Sequence, residues 1–137
     1  MAKPPPGALG TYRTMQVSAA SPVQILVQLY LGAIQFLRDA EAALQENRSD
    51  EARQKIVRTQ NILYELIRSL NFSFDSELPH DLHQLYKYML LRLKFAGDEQ
   101  HPEAISEVSS ILRQLLGGWR QILSSPIPVI ANKTLRK

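Results

Sequence analysis

The sequence contains no cysteine, which excludes disulfide bonds, thiol nucleophiles and cysteine-ligated metal sites. Such a composition fits a reducing compartment more easily than an oxidising one. The chain also lacks an uninterrupted apolar run of about 20 residues, the length that a membrane-spanning helix needs. Its longest apolar stretch, residues 23–37, is interrupted by Gln24, Gln28 and Gln35. We therefore expect a cytoplasmic protein that does not insert into a membrane.

An excess of charge of one sign is also missing. The 16 Lys and Arg residues are nearly balanced by 13 Asp and Glu residues, and the net charge is +3. The last five residues, 133–137, contain three of the positive charges. Nucleic-acid-binding proteins usually concentrate basic residues on one face. The sequence therefore predicts no nucleic-acid partner.

Patterns that carry catalytic chemistry are scarce. The chain has no glycine-rich phosphate loop and no clear serine–histidine–acid arrangement. Glu77, His80 and His83 follow the Glu-x-x-His and His-x-x-His spacings of helical metal ligands. Di-iron bundles need a second Glu-x-x-His motif and a glutamate from each of two other helices, and neither occurs here. We interpret the segment as a solvated first helical turn, and predict no catalytic residue, no metal, no cofactor and no enzyme activity.

Four segments instead carry apolar residues at helical spacing. Ser21 and Pro22 are a strong start signal, and the first helix is expected from Pro22 to Gln45. Residues 23–37 are apolar on nearly every side, which predicts a central helix surrounded by neighbours. Within it, Gly32 and Ala33 would permit close approach of another helix.

The other three helices have start and stop signals of their own. Ser49 is expected to cap the second helix and Ser76 the third, because serine oxygens accept hydrogen bonds from free N–H groups. Gly97 is expected to end the third helix, and Pro102 to open the fourth. A glycine pair, 117–118, interrupts the fourth helical pattern and requires a kink or the close approach of another chain.

Short links between four helices of about 20 residues force neighbouring helices to run antiparallel. The sequence therefore predicts an all-α fold, an antiparallel up-down four-helix bundle with a flexible N-terminal arm. We expect residues 1–20 to form the arm or cap, residues 21–123 the bundle, and residues 124–137 a loose C-terminal tail.

The helices carry more apolar residues than one inward face each requires. Any single such residue is more readily explained as core, whereas the whole set favours a groove for a partner. Tyrosine suits such a groove because it joins a large apolar ring to a polar tip. The candidate partner-binding residues are Tyr12, Met15, Tyr30, Ile56, Leu63, Tyr64, Tyr86, Tyr88, Met89 and Trp119.

A series of short motifs resembles the flagellin-specific export chaperones of the FliS family. The motifs lie between residues 12 and 123 and comprise Tyr12, Ser21-Pro22, Leu29-Tyr30-Leu31-Gly32-Ala33-Ile34, Ser69-Leu70-Asn71, Leu85-Tyr86-Lys87-Tyr88-Met89 and Trp119. Each is weak alone, but their order and approximate spacing make the set specific. The family typically has aspartate at the position of Leu31 and often at that of Asn71, so this chain lacks two charges of the usual pattern.

The resemblance implies a cytoplasmic chaperone that binds the disordered C-terminal segment of flagellin. Such a chaperone prevents premature polymerisation and delivers flagellin to the flagellar type III export apparatus. The resemblance also implies that the arm around Tyr12 covers part of the groove before the client arrives. The export gate and a co-chaperone are further candidate partners. The residues leave one alternative open, a self-associating helical adaptor protein without a flagellin client.

Overall fold

The computed structural model describes residues 21–73, 76–99 and 101–124. This part of the chain is all-helical, without a β-strand, and its elements are α1 (Pro22–Gln45), α2 (Ser49–Arg68), α3 (Leu78–Glu99) and α4 (Pro102–Ser124). The predicted all-α class is confirmed, and α1 has the predicted bounds. The expected arm and residues 125–137 of the expected tail lie outside the described residues, so the predicted domain bounds stay predictions.

Two of the three predicted serine caps are present. The Ser21 hydroxyl accepts a hydrogen bond from the Gln24 N–H at 3.1 Å, and the Gln24 side chain accepts one from the Ser21 N–H at 2.7 Å. This reciprocal pair satisfies two backbone donors that would otherwise be free at the start of α1. The Ser76 hydroxyl accepts a hydrogen bond from the Leu78 N–H at 3.0 Å, at the start of α3.

The prediction that Ser49 caps α2 is wrong. Ser49 is the first helical residue of α2, and Arg48 occupies the capping position without a side-chain capping bond. The reason is the shortness of the preceding turn. Asn47 takes a left-handed conformation (φ 61°), and the Arg48 N–H donates to the Ala43 carbonyl at 2.8 Å. This turn closes α1 so tightly that α2 begins immediately after Arg48.

The prediction that Gly97 ends α3 is also wrong, because α3 continues to Glu99. No glycine in the described part of the chain has a positive φ, so Gly97 remains within the helix. A glycine ends a helix only where the chain turns into the left-handed conformation. Here the preceding residue, Ala96, is buried and holds the last turns of α3 against the core.

The chain forms two compact units. The larger, residues 29–116, contains parts of all four helices. Three polar contacts within this unit join helices near one end: Lys55 Nζ to Asp39 Oδ2 at 3.9 Å, Arg92 Nε to Glu107 Oε1 at 2.7 Å, and Ser106 Oγ to Glu41 Oε2 at 2.9 Å. They place the end of α1 beside the starts of α2 and α4, and the end of α3 beside the start of α4. This is the predicted antiparallel up-down order.

The core of the larger unit is built from all four helices. It includes Tyr30, Ala33, Leu37, Ala40, Ile56, Leu63, Leu66, Tyr86, Met89, Leu93, Ile105, Val108 and Leu112, all with almost no exposed surface. Gly32 lies where α1 packs against α2, at an ordinary packing distance, so the predicted close approach of another helix stays a prediction. A Cβ atom at Gly32 would lie 3.6 Å from the Cδ1 atom of Ile62.

Among the described residues, the smaller unit consists of residues 21–28 and 117–124. It contains the first residues of α1, with the Ser21 cap, and the last turns of α4. A Cβ atom at Gly117 or Gly118 would have no neighbour within 4 Å among the described residues. The glycine pair therefore contacts no other described segment of its own chain, and the two predicted explanations, a kink or the close approach of another chain, stay predictions.

Candidate partner-binding surface

Half of the predicted partner-binding residues lie inside the bundle. Tyr30 on α1, Ile56 and Leu63 on α2, and Tyr86 and Met89 on α3 are all buried. A side chain without exposed surface can contact a partner only if the helices separate. The structure therefore gives these five residues a part in the core, and their direct contact with a partner stays a prediction.

Two of these buried residues meet across the bundle. The hydroxyl groups of Tyr30 and Tyr86 form a hydrogen bond of 2.7 Å between α1 and α3. Burial raises the pKa of Tyr86 far above its usual range, and the neighbouring Tyr30 raises it further. The Tyr86 phenol is therefore neutral at any physiological pH, and the hydrogen-bonded pair is a polar bridge within an apolar core.

Three other predicted residues retain accessible surface. Tyr64 on α2 is 49 % exposed and Tyr88 on α3 is 41 % exposed. Trp119, on the last part of α4, is half-buried. The remaining two, Tyr12 and Met15, lie outside the described residues. Tyr64 and Tyr88 are therefore the two predicted side chains of the larger unit that a partner can reach without rearrangement.

Tyr88 belongs to a polar cluster that joins α3 to α4. Its hydroxyl donates a hydrogen bond to Oε2 of Glu107, and Arg92 Nε donates to Oε1 of the same carboxylate at 2.7 Å. Hydrogen bonds from Tyr88 and then Arg92 lower the pKa of Glu107. The bond to Glu107 in turn raises the pKa of Tyr88. The cluster holds the tyrosine ring in one orientation at the protein surface.

The prediction missed several exposed apolar side chains. Val57 on α2 and Leu91 on α3 are 47 % and 51 % exposed, and Ile25, Phe72, Leu78 and Leu123 are also exposed. Helical periodicity contains the signal that could have found the first two. Val57 lies seven residues before Tyr64, and Leu91 lies two residues after the buried Met89, so each points away from its helix's buried stripe.

The two histidines of the weak metal motif contact an aromatic ring. The ring of Phe72 lies 4.9 Å from that of His80 and 5.8 Å from that of His83, measured between centroids. No cluster of three or more potential metal-ligating side chains occurs in residues 21–73, 76–99 and 101–124. The visible role of these histidines is to pack the segment after α2 against the start of α3.

Comparison with known proteins identifies the family. The sequence profile of the family described as flagellar protein FliS matches residues 6–126. This chain belongs to the FliS family. The resemblance seen in the sequence motifs is thereby confirmed.

Individual relatives agree with this membership. The chain is 28 % identical over 120 residues to the flagellar secretion chaperone FliS of Vibrio cholerae, covering 85 % of this chain and 88 % of the relative. It is 30 % identical over 111 residues to that of Escherichia coli, covering 80 % and 82 %. A crystal structure of a bacterial flagellar chaperone has the same fold, with a TM-score of 0.73 and 18 % identity over 82 % of this chain and 92 % of that chain.

Within the described residues, no helix of this FliS-family chain is both long enough and apolar enough to cross a membrane.

Proposed function

We propose that this protein is a cytoplasmic export chaperone that binds the disordered C-terminal segment of flagellin. It prevents premature polymerisation and delivers flagellin to the type III export apparatus. The observation that carries the proposal is the match of the FliS family to residues 6–126. Family membership assigns a chaperone role in flagellar secretion, and flagellin is the client that we propose for it. The proposal includes no catalytic step.

The surface of the bundle supports a role in holding a client. Its core is already filled by side chains from all four helices, yet Tyr64, Tyr88 and Leu91 remain exposed. A disordered segment that folds onto such a surface buries apolar area along its length, which offsets the entropy lost on ordering. We propose Tyr64 and Tyr88 as client contacts in the larger unit, and Tyr12, Met15 and Trp119 as further contacts.

The direct test is titration of the full chain with a synthetic peptide of the flagellin C-terminal segment. We expect a one-to-one complex by calorimetry and by size-exclusion chromatography. A peptide of the same composition in scrambled order is the matched control. Absence of binding at micromolar concentration would refute flagellin as the client. A concentration-independent dimer by light scattering, unchanged by flagellin, would favour the self-associating adaptor.

A further inference from the structure

The acidic residues of this chain are confined to its middle. All 13 Asp and Glu residues lie between Asp39 and Glu107, where 8 Lys and Arg residues accompany them and the net charge is −5. Residues 1–38 and 108–137 contain no Asp or Glu. They hold the other eight cations, which are Lys3, Arg13, Arg38, Arg113, Arg120, Lys133, Arg136 and Lys137. The small net charge of the whole chain therefore hides two oppositely charged parts.

The smaller unit is built from the acid-free parts alone. Its described residues, 21–28 and 117–124, include the start of α1 and the end of α4 but no Asp or Glu. Two apolar side chains are exposed there, Ile25 by 53 % and Leu123 by 40 %. Gly117 and Gly118 are exposed too, and they leave the backbone of α4 without side chains. The unit thus presents apolar side chains and bare helix to its surroundings.

The exposed side of α4 carries two cations. Arg113 and Arg120 are exposed and seven residues apart, so they lie on the same side of the helix, with Gly117 between them. Leu123 follows Arg120 by three residues, which is less than one turn. Neither arginine forms an ion pair with another described residue. Since α4 contains no acid after Glu107, both guanidinium groups can bind an anion outside the chain.

We propose that this α4 face, defined by Arg113, Gly117, Arg120 and Leu123, binds the surface of a lipid bilayer that contains anionic headgroups. The guanidinium groups bind lipid phosphates, and Leu123 enters the boundary between headgroups and acyl chains. The bare backbone at Gly117 lets the helix lie close to the flat surface, and no helix crosses the bilayer. The sequence after α4 repeats this combination, since it contains Ile127, Val129 and Ile130 followed by Lys133, Arg136 and Lys137.

The pairing of aliphatic and cationic side chains selects a bilayer over a nucleic acid. Stable adsorption to a membrane surface needs two signals, and an apolar group beside a basic patch supplies them. A nucleic acid would use the arginines through its phosphates, but the phosphate backbone offers no apolar contact to Leu123. The bilayer is therefore the partner that uses the whole face.

A second copy of the chain fits this face less well. Its own α4 face carries the same cations, and like charges oppose association. Three acids of its middle part are engaged within the bundle, Asp39 with Lys55, Glu41 with Ser106, and Glu107 with Arg92. The inference does not depend on flagellin as the client.

The test uses the full chain and lipid vesicles of two compositions. One consists of phosphatidylcholine alone, and the other contains about one third phosphatidylserine. Trp119 is the single tryptophan and directly precedes Arg120, so its fluorescence reports adsorption of α4. By sedimentation and fluorescence titration, we expect the anionic vesicles to bind at least tenfold more tightly. Added salt should weaken this binding, because exposed charges are screened.

Matched double variants test the role of the α4 cations. Arg113→Gln with Arg120→Gln should weaken binding to the anionic vesicles at least tenfold, since each basic residue near such a surface contributes a factor of about five. Arg53→Gln with Lys87→Gln removes two exposed cations from the middle of the chain and gives the same net charge. This control should bind like the wild type.

Matched serine variants test the apolar contact at constant charge. Leu123→Ser should weaken binding to the anionic vesicles several-fold, whereas Val57→Ser, at a similarly exposed position of α2, should have little effect. All the altered side chains are at the surface, so circular dichroism should show that each variant remains folded.

Several outcomes would overturn the inference. Equal binding to the two kinds of vesicle would remove the role of charge, and unchanged binding by the α4 double variant would place the contact elsewhere. A glutamate-rich peptide or a single-stranded oligonucleotide that displaces the vesicles from the arginines would assign the face to a different partner. Flagellin titration without lipid separates the two proposals. If the wild-type chain does not bind flagellin, only the proposed function fails; if it does not bind anionic vesicles, only this inference fails.

Discussion

At the scale of single residues, the bundle places polar groups of tyrosine in two different settings. Tyr86 is buried and shares its hydroxyl with Tyr30, whereas Tyr88, two residues later, bonds to Glu107 at the surface. Successive residues of a helix point about 100° apart, so two tyrosines in one motif reach different environments. Their substitution should therefore affect different properties of the protein.

Removal of the Tyr86 hydroxyl tests the buried bridge. Tyr86→Phe should lower the free energy of unfolding by about 1–3 kcal/mol, because the Tyr30 hydroxyl loses a hydrogen bond inside the core. Chemical denaturation measures the change. In a double-mutant cycle with Tyr30→Phe, the two effects should be coupled by about 0.5 kcal/mol or more. If the loss of unfolding free energy in the double variant equalled the sum of the two single losses, the hydrogen bond between Tyr30 and Tyr86 would contribute nothing to stability.

The Glu107 cluster makes part of the stability depend on pH. Its hydrogen-bonded partners lower the pKa of Glu107 in the folded state, below the value of 4.5 that the free group has. The stability that ionised Glu107 contributes to the folded state is therefore present above pH 4.5. It is lost as the pH falls through the lowered pKa of Glu107 in the folded protein. We expect the melting temperature of the wild type to fall more between pH 7 and pH 3 than that of Glu107→Gln. If the melting temperatures of the wild type and Glu107→Gln fell equally between pH 7 and pH 3, the expectation would be contradicted.

At the scale of elements, helix boundaries depend on local turns as much as on capping residues. Ser49 and Ser76 both precede or begin a helical pattern, and both are good capping residues. Only Ser76 stands where its hydroxyl meets a free N–H group, because the left-handed Asn47 moves the start of α2 back by one residue.

The two serines form a matched pair for a stability measurement. Ser76→Ala removes the hydroxyl that accepts from Leu78 and should lower the free energy of unfolding by about 1 kcal/mol. Ser49→Ala should change it by less than about 0.5 kcal/mol, since alanine has the higher helix propensity and no capping bond is lost. Thermal or urea denaturation of both variants measures the difference. If Ser49→Ala lowered the free energy of unfolding more than Ser76→Ala does, the original prediction that Ser49 caps α2 would be restored.

At the scale of the whole molecule, the fold separates residues that hold the bundle together from residues that are available to a client. Met89 is completely buried, and Tyr64 is about half exposed on the neighbouring helix. The sequence alone gave both residues the same part in partner binding. Their positions now predict opposite effects on stability and on binding.

A comparison of Met89→Ala with Tyr64→Ala measures this separation. Met89→Ala should lower the free energy of unfolding by about 2–5 kcal/mol, the range for a large-to-small change in a core. Tyr64→Ala should lower it by less than about 0.5 kcal/mol, but should weaken the flagellin peptide several-fold. Calorimetric titration well below the melting temperature of each variant keeps the two effects apart. Weaker binding by fully folded Met89→Ala would uphold the original prediction that Met89 contacts the client.

Much of the fold was predictable because it depends on signals local in the chain. The bounds of α1 follow from Ser21, Pro22 and the apolar pattern behind them, and Pro102 marks the start of α4. The end of α3 was not predictable from Gly97, because a glycine permits a left-handed turn without requiring one. The candidate site was less predictable. Periodicity gives the direction of each side chain around its own helix, but not which directions the neighbouring helices cover.

The sequence by itself determined the all-α class, the four helices and membership of the FliS family, since periodicity, short links and motif order are properties of the chain alone. Only the tertiary structure decided that Tyr30, Tyr86 and Met89 are core, while Tyr64, Val57 and Leu91 are surface. The physical reason is that burial depends on contacts between segments distant in sequence. An apolar side chain is the same residue whether a neighbouring helix covers it or leaves it for a partner.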